Sequence, residues 1–233
     1  MNQIITQHGW CLNANMWLNF KKQFGEDFIW QDNERGYFKG KNKDSKWVEN
    51  CNKNDNRIVI CHSLGTQLIN PNVLYTASHA VLINSFFNFI PKNNRKRLVI
   101  RKLEKMEAKI KTKEVESLIK EFIKRSFFPN SIDDTLNSIL NSEYKNINAM
   151  LLLNDFKKLY FTHKEYRFFS KGCKILILRS KNDSILEETA VHDFINLLNR
   201  IQINPPKVIY LENQGHLLKE IEIFKIIKEW LNR

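Results

Sequence analysis

The run Arg57-Ile58-Val59-Ile60-Cys61 leads straight into His62-Ser63-Leu64-Gly65, and a helical pattern follows. A buried strand, a Ser-x-Gly turn and a helix start together make a nucleophile elbow, usually written Gly-x-Ser-x-Gly, which lifts a serine hydroxyl clear of its neighbours. The turn brings chains close together on both sides of the serine, so small residues are needed two before and two after it. Gly65 meets the second requirement, and Cys61 stands where the first glycine usually is. A serine nucleophile also needs a base to take its proton and a carboxylate to hold that base in one tautomer. The run Lys174 to Leu178 is followed by Arg179-Ser180-Lys181-Asn182-Asp183, and Lys207 to Leu211 by Glu212-Asn213-Gln214-Gly215-His216. Serine, aspartate and histidine thus follow one another in chain order, each just after an apolar run, with room for one helix and one strand between the last two.

Each piece has a plain structural reading as well. Ser-x-Gly can be a simple turn, Asp183 a helix cap and His216 a surface loop residue. Their agreement in order and context favours Ser63 as nucleophile, His216 as base and Asp183 as the carboxylate that orients it. Acyl transfer further requires two backbone N–H groups facing the oxygen that becomes negative. Leu64, next after the nucleophile, offers one, and Trp10, in His8-Gly9-Trp10 after Ile4 and Ile5, offers the other. The Trp10 indole is then placed to form a wall of the acyl pocket. His62 is a poor base because neighbours on an elbow point apart, and Cys61 lies too early to be the exposed nucleophile. His79, His163 and His192 lack partners at metal-ligand spacing, so no metal is expected.

These groups need a framework. Gln3 to Gln7, Phe28 to Gln31, Arg57 to Cys61, Ala80 to Asn84, Lys174 to Leu178 and Lys207 to Leu211 read as short buried strands. Asn13 to Phe24, Leu64 to Ile69, Glu187 to Asn199 and Glu220 to Leu231 carry apolar residues near helical spacing. Strands separated by helices imply parallel pairing, and so a layered α/β sheet with helices on both faces. From about Ile90 to Phe169 the alternation stops. Leu98, Ile100, Leu103, Met106 and Ile110, then Val115, Leu118, Ile119, Phe122 and Ile123, predict two or more amphipathic helices, the second broken by Pro129. The expected organisation is a core of residues 1–89 and 170–233 with a helical cap, 90–169, over the C-terminal edge of the sheet. No internal repeat or flexible linker interrupts it.

The 233 residues include only seven glycines; 42% are hydrophobic and 12% aromatic, enough for a large core and incompatible with a disordered or collagen-like chain. Gly9, Gly65 and Gly215 stand beside the three proposed pieces of chemistry. No apolar run approaches the ~18 residues of a membrane span, and Met1 to Cys11 lacks a secretory signal pattern, so a cytoplasmic protein is expected. Cys11, Cys51, Cys61 and Cys173 have no CxxC spacing and are expected to be reduced thiols. The formal charge is +12. Such a charge permits nucleic acid, an anionic membrane surface or an acidic protein as partner, and an even compositional bias toward Lys accounts for it equally well. Lys92, Arg95, Lys96, Arg97, Arg101, Lys102 and Lys105 form a cluster denser than that bias.

The stretch His8-Gly9-Trp10-Cys11-Leu12-Asn13-Ala14-Asn15-Met16-Trp17 resembles the α/β-hydrolases, and in particular the pimeloyl-[acyl-carrier protein] methyl ester esterases of biotin synthesis. Those enzymes carry a similar HGWxLNAxxW stretch, an elbow ending Ser-Leu-Gly and a helical cap. The resemblance spans both ends of the chain and is vague between them. It implies an α/β-hydrolase fold whose mostly parallel sheet lacks the two leading strands, since only seven residues precede His8. It also implies a Ser63, His216 and Asp183 triad, an oxyanion hole at Trp10 and Leu64, and Phe122 lining the acyl channel, although Phe122 fits equally well as cap core. The expected partner is an acidic acyl-carrier protein docking on Lys92 to Lys105 with Lys120, Lys124 and Arg125, with no cofactor, no nucleic acid and no membrane. Two other readings remain: another ester or thioester hydrolase on the same triad, and a non-catalytic basic binding protein.

Overall fold

The computed structural model describes residues 1–38, 40–49, 55–131, 146–161, 169–218 and 220–232. Cys51 and His163 lie outside them, as do parts of the stretch 90–169. Six strands form one sheet: β1 (Asn2–Gln7), β2 (Phe28–Asn33), β3 (Arg57–His62), β4 (His79–Ile83), β5 (Lys174–Ser180) and β6 (Lys207–Leu211). Their order is β2-β1-β3-β4-β5-β6, and every neighbouring pair is parallel. Parallel pairing needs crossovers, which here are largely helical. These include α1 (Leu18–Phe24), α2 (Gly65–Leu68), α3 (Pro71–Tyr75), α7 (Glu188–Ile201) and, after the last strand, α8 (Glu220–Leu231).

Because successive strand residues point to opposite faces, the central strands divide their side chains between two cores. Val59, Cys61, Ala80, Leu82, Ile175 and Ile177 pack with Val73 and Leu74 of α3 and Phe194 and Leu198 of α7. Ile58, Ile60, Val81, Ile83, Leu176 and Leu178 pack on the other face with Phe20 and Phe24 of α1 and Ile223 and Ile227 of α8. Burial on both faces explains why these strands are nearly continuous apolar runs. Cys61 belongs to the first core, and burial pushes its thiol pKa up, so it fills space as a small apolar residue.

The strands run slightly past their expected ends. β2 reaches Asn33, β3 His62 and β5 Ser180, whereas Asn84 leaves β4 with a φ of 43°. Between β4 and β5 lie α4 (Lys96–Ile110), α5 (Val115–Phe127) and α6 (Ala149–Phe156). Their apolar sides form a third core over the C-terminal ends of the strands, in which Val99, Leu103, Leu118, Ile119, Ile123, Leu152 and Phe156 meet Trp10, Leu64, Phe86 and Leu217. α6 is fastened from below: Arg35 grips Asp155 with two hydrogen bonds of 2.9 and 3.0 Å, and the Tyr37 hydroxyl donates to the same carboxylate at 2.7 Å. Among the described residues no helix is long and apolar enough to cross a membrane.

Candidate active site

The sheet order reverses between β1 and β3, and in open parallel sheets the crevice beyond the strand ends at such a switch point is where ligands bind. The loop after β1 and the turn after β3 meet there. Ser63 sits on that turn at φ 53°, a left-handed conformation unfavourable for a residue with a Cβ, and its amide donates to Ile83 O at 2.9 Å. A side chain on Gly65 would come within 2.6 Å of Gln7 O, and one on Gly9 within 3.0 Å of Ser63 Cβ. The loop after β1 can lie directly on the elbow only because both residues are glycine.

His216 follows β6 and reaches across to the elbow. Its Nε2 is 2.8 Å from Ser63 Oγ, and its Nδ1 is 2.8 Å from Asp183 Oδ2. With Nδ1–H donated to the carboxylate, Nε2 presents a lone pair to the serine hydroxyl. The Asp183 side chain is fully buried and has four partners: His216 and Arg179 (2.6 Å) on Oδ2, and the amides of Ile185 and Leu186 on Oδ1. Burial alone would raise its pKa, but the His216 ring, the Arg179 guanidinium and the Ile185 amide together hold it well below the usual carboxylate range. The carboxylate is therefore charged at neutral pH and able to stabilise an imidazolium.

Trp10 and Leu64 flank Ser63 at the cavity. Among the described residues neither backbone amide has a protein acceptor, which leaves both N–H groups available to an oxyanion. The loop carrying Trp10 is set by His8, whose Nδ1–H donates to Gly9 O at 2.8 Å while Nε2 accepts from the Arg35 amide at 3.1 Å. The Trp10 indole donates to Leu152 O at 2.8 Å and stands edge-on to Phe122, with centroids 5.1 Å apart.

The cavity above Ser63 holds about 310 Å³. Apolar side chains make its walls: Phe86 and Phe89 after β4, Val99, Leu103 and Met106 of α4, Leu118 and Phe122 of α5, and Phe156 of α6. Lys102, Lys105, Lys109 and Arg125 stand at its rim with Glu121 and Glu187. Glu187 pairs with Arg95 at 3.2 Å and Glu121 with Lys109 at 3.5 Å. Lys92, Lys96, Arg97 and Arg101 are exposed nearby.

The structure thus brings Ser63, His216 and Asp183 into one hydrogen-bonded chain and places Trp10, Leu64 and Phe122 around the same space. It keeps Cys61 buried in the sheet, and it puts His79 and His192 away from the site, against Trp230 and Glu188. Three contributors escape a reading of motifs. Arg179 is the buried cation on Asp183, and only its position four residues before the aspartate hints at a pair. Asn84 donates to the carbonyl oxygen of His216. The end of α5 is bonded to both late loops: Arg125 and Ser184 exchange hydrogen bonds of 2.7 and 3.1 Å, Ser126 O accepts from the Leu217 amide, and Asn130 donates to Asn213 O.

No family model matches this chain, and no curated protein does. Among solved structures it is similar to an esterase from Exiguobacterium antarcticum, with TM-score 0.72 and 13% identity over 100% of this chain and 92% of that one. It is similar to a hydrolase from Oleispira antarctica at TM-score 0.70 and 13% identity, over 100% and 92%. An enol-lactonase from Burkholderia xenovorans LB400 gives TM-score 0.67 and 13% identity, again over 100% and 92%. The fold of this chain is the α/β-hydrolase fold.

Proposed function

We propose that this α/β-hydrolase-fold protein is a serine carboxylesterase, and that its substrate is the methyl ester of a pimeloyl chain carried on acyl-carrier protein. The observation that carries the esterase reading is the unbroken chain Ser63 Oγ to His216 to Asp183, opening on an apolar cavity beside two amides that have no protein acceptor among the described residues. Ser63 Oγ attacks the ester carbonyl carbon while His216 Nε2 takes the hydroxyl proton. The carbonyl oxygen becomes an oxyanion facing the Trp10 and Leu64 amides, and one such donor is worth ~3 kcal/mol of barrier. The tetrahedral centre collapses as His216 returns the proton to the departing methoxide, which leaves as methanol. Water, deprotonated by His216 Nε2, then attacks the acyl-Ser63 carbonyl carbon, and His216 returns the proton to Ser63 Oγ as the acyl–oxygen bond breaks and the free carboxylate leaves. No step needs a cofactor.

Fold and triad do not name a substrate, so the finer reading rests on other features. Its support is the HGW-to-Trp17 stretch and a cavity whose walls are apolar and whose rim carries Lys102, Lys105, Lys109 and Arg125. That combination suits an acyl chain presented by an acidic carrier, which would dock on the α4 and α5 cations and gain mainly in association rate. The test is complementation of a biotin-requiring host that lacks its own pimeloyl-carrier methyl esterase. Growth with the wild type and none with Ser63→Ala is expected. If p-nitrophenyl esters are hydrolysed but growth is not restored, the chain is an ester or thioester hydrolase with another substrate. A wild type inert toward every ester would instead indicate the basic binding protein.

A further inference from the structure

His62 is a fully buried imidazole at the end of β3, immediately before Ser63, and the catalytic cycle makes no use of its ring nitrogens. Its Nε2 lies 2.9 Å from the carbonyl oxygen of His216, and the two rings are 5.0 Å apart. A carbonyl can only accept, so Nε2 carries the proton and Nδ1 the lone pair. That Nδ1 is buried without a hydrogen-bond partner in the described residues. An orphaned buried nitrogen is costly, and an apolar ring of the same volume would avoid that cost. What the imidazole offers beyond volume is the Nε2–H donor. The same His216 oxygen accepts a second hydrogen bond, 2.9 Å from Asn84 Nδ2 at the end of β4. Asn84 is itself fixed, because its Oδ1 accepts the Ser180 amide at 2.9 Å and its Nδ2 also reaches Ser180 Oγ.

We propose that His62 is a positioning residue, which together with Asn84 clamps the main-chain carbonyl of His216 and so sets where the catalytic imidazole stands relative to Ser63. The proposal rests on the esterase reading. Asp183 fixes the ring of His216 at Nδ1, while the clamp fixes the backbone that carries the ring, tying a loop residue to two strand ends. His62 stays neutral because burial, and after it the neighbouring His216, hold its pKa down to about 3. The donor is therefore present throughout the working range and adds no charge beside the imidazolium formed in turnover. A base displaced by ~1 Å can lose about a hundredfold in rate.

The experiment compares wild type, His62→Phe and His62→Gln on p-nitrophenyl butyrate, with active sites counted by stoichiometric p-nitrophenyl phosphonate labelling of Ser63. His62→Phe keeps a ring and loses the donor, whereas His62→Gln restores a donor. The expected result is kcat per titrated site down by about 10- to 100-fold in His62→Phe, KM within about twofold, and most of the loss recovered in His62→Gln. An unchanged kcat per titrated site in His62→Phe, or an equal loss in both variants, overturns the clamp. If His62→Phe does not fold, Asn84→Gly, which suits the left-handed backbone and removes the other donor, replaces it. A lowered kcat per site then supports the clamp, and an unchanged one overturns it. A wild type that neither hydrolyses the ester nor reacts with the phosphonate sinks the esterase reading itself, a result distinct from all of these.

Discussion

At the C-terminal edge of the sheet, Asp183, His216 and Asn84 are each held by two or more hydrogen bonds of 2.6–3.3 Å. On the helices facing them across the same cavity, Val99, Leu103, Leu118 and Phe122 are held by packing, with exposed cations outside. Hydrogen bonds are directional and fail over fractions of an ångström, whereas an apolar lining tolerates volume-conserving exchange at small cost. The edge is built to do one reaction in one geometry. Along α4 and the apolar face of α5 the lining can change without touching that geometry, whereas the last turn of α5 is bonded to the loops that carry Asp183 and His216.

The largest expected effects lie at the edge. Ser63→Ala should lower kcat on p-nitrophenyl butyrate by about 10⁶-fold and Asp183→Asn by about 10⁴-fold, with near-UV circular dichroism unchanged. A Ser63→Ala protein within tenfold of wild type would remove the serine mechanism and with it the contrast.

The next effect is on stability and also belongs to the edge. The unfolded His62 titrates near 6.5 and the folded one at about 3. Below pH 6.5 the unfolded state binds the extra proton, so stability falls as pH falls, by about 2 kcal/mol from pH 7 to pH 5. Urea titrations should show this loss in wild type and a clearly smaller one in His62→Phe, where His79, whose pKa burial also lowers, still contributes in the same direction. The low pKa of Asp183 acts in the same direction, but only below pH ~5, as the unfolded carboxylate begins to protonate.

Smaller effects are expected from the helices. Phe122→Ala should lower kcat/KM on long-chain esters by about tenfold and leave the acetate within about twofold. An equal loss on both would place Phe122 with the catalytic edge. Smallest, kcat/KM on a carrier-bound ester should fall several-fold from low to high salt, a slope that Lys102→Ala with Lys105→Ala should flatten. Salt independence would end the docking idea.

The sheet was legible in the sequence because buried parallel strands are short apolar runs, and the registers confirm runs drawn from composition alone. Ser63, Asp183 and His216 were legible as types in order, since each follows such a run. Helix α6 was not, because its fastening is wholly non-local: Asp155 meets Arg35 and Tyr37 across separations of 120 and 118 residues. His62 was readable as an unsuitable base, but its bond to a main-chain oxygen leaves no pattern in residue types. Asn84 reads as a strand end and is in fact a left-handed turn residue, placed by the Ser180 amide of the neighbouring strand β5, 96 residues away in sequence.

Gly215 packs so closely under the end of α5 that a Cβ there would strike the carbonyl oxygens of Phe128 and Ser126. Together with the bonds from Ser126, Arg125 and Asn130 to the neighbouring loops, this makes α5 part of the masonry around the base and the acid. The helical insert is therefore not an interchangeable module. A graft replacing residues 90–169 with another protein's helices would arrive without its half of that seam, and the acceptor would lose turnover even with every triad residue intact. Variation in what this protein accepts should accumulate by point substitution along α4 and the apolar face of α5, while the last turn of α5 and Gly215 change only together.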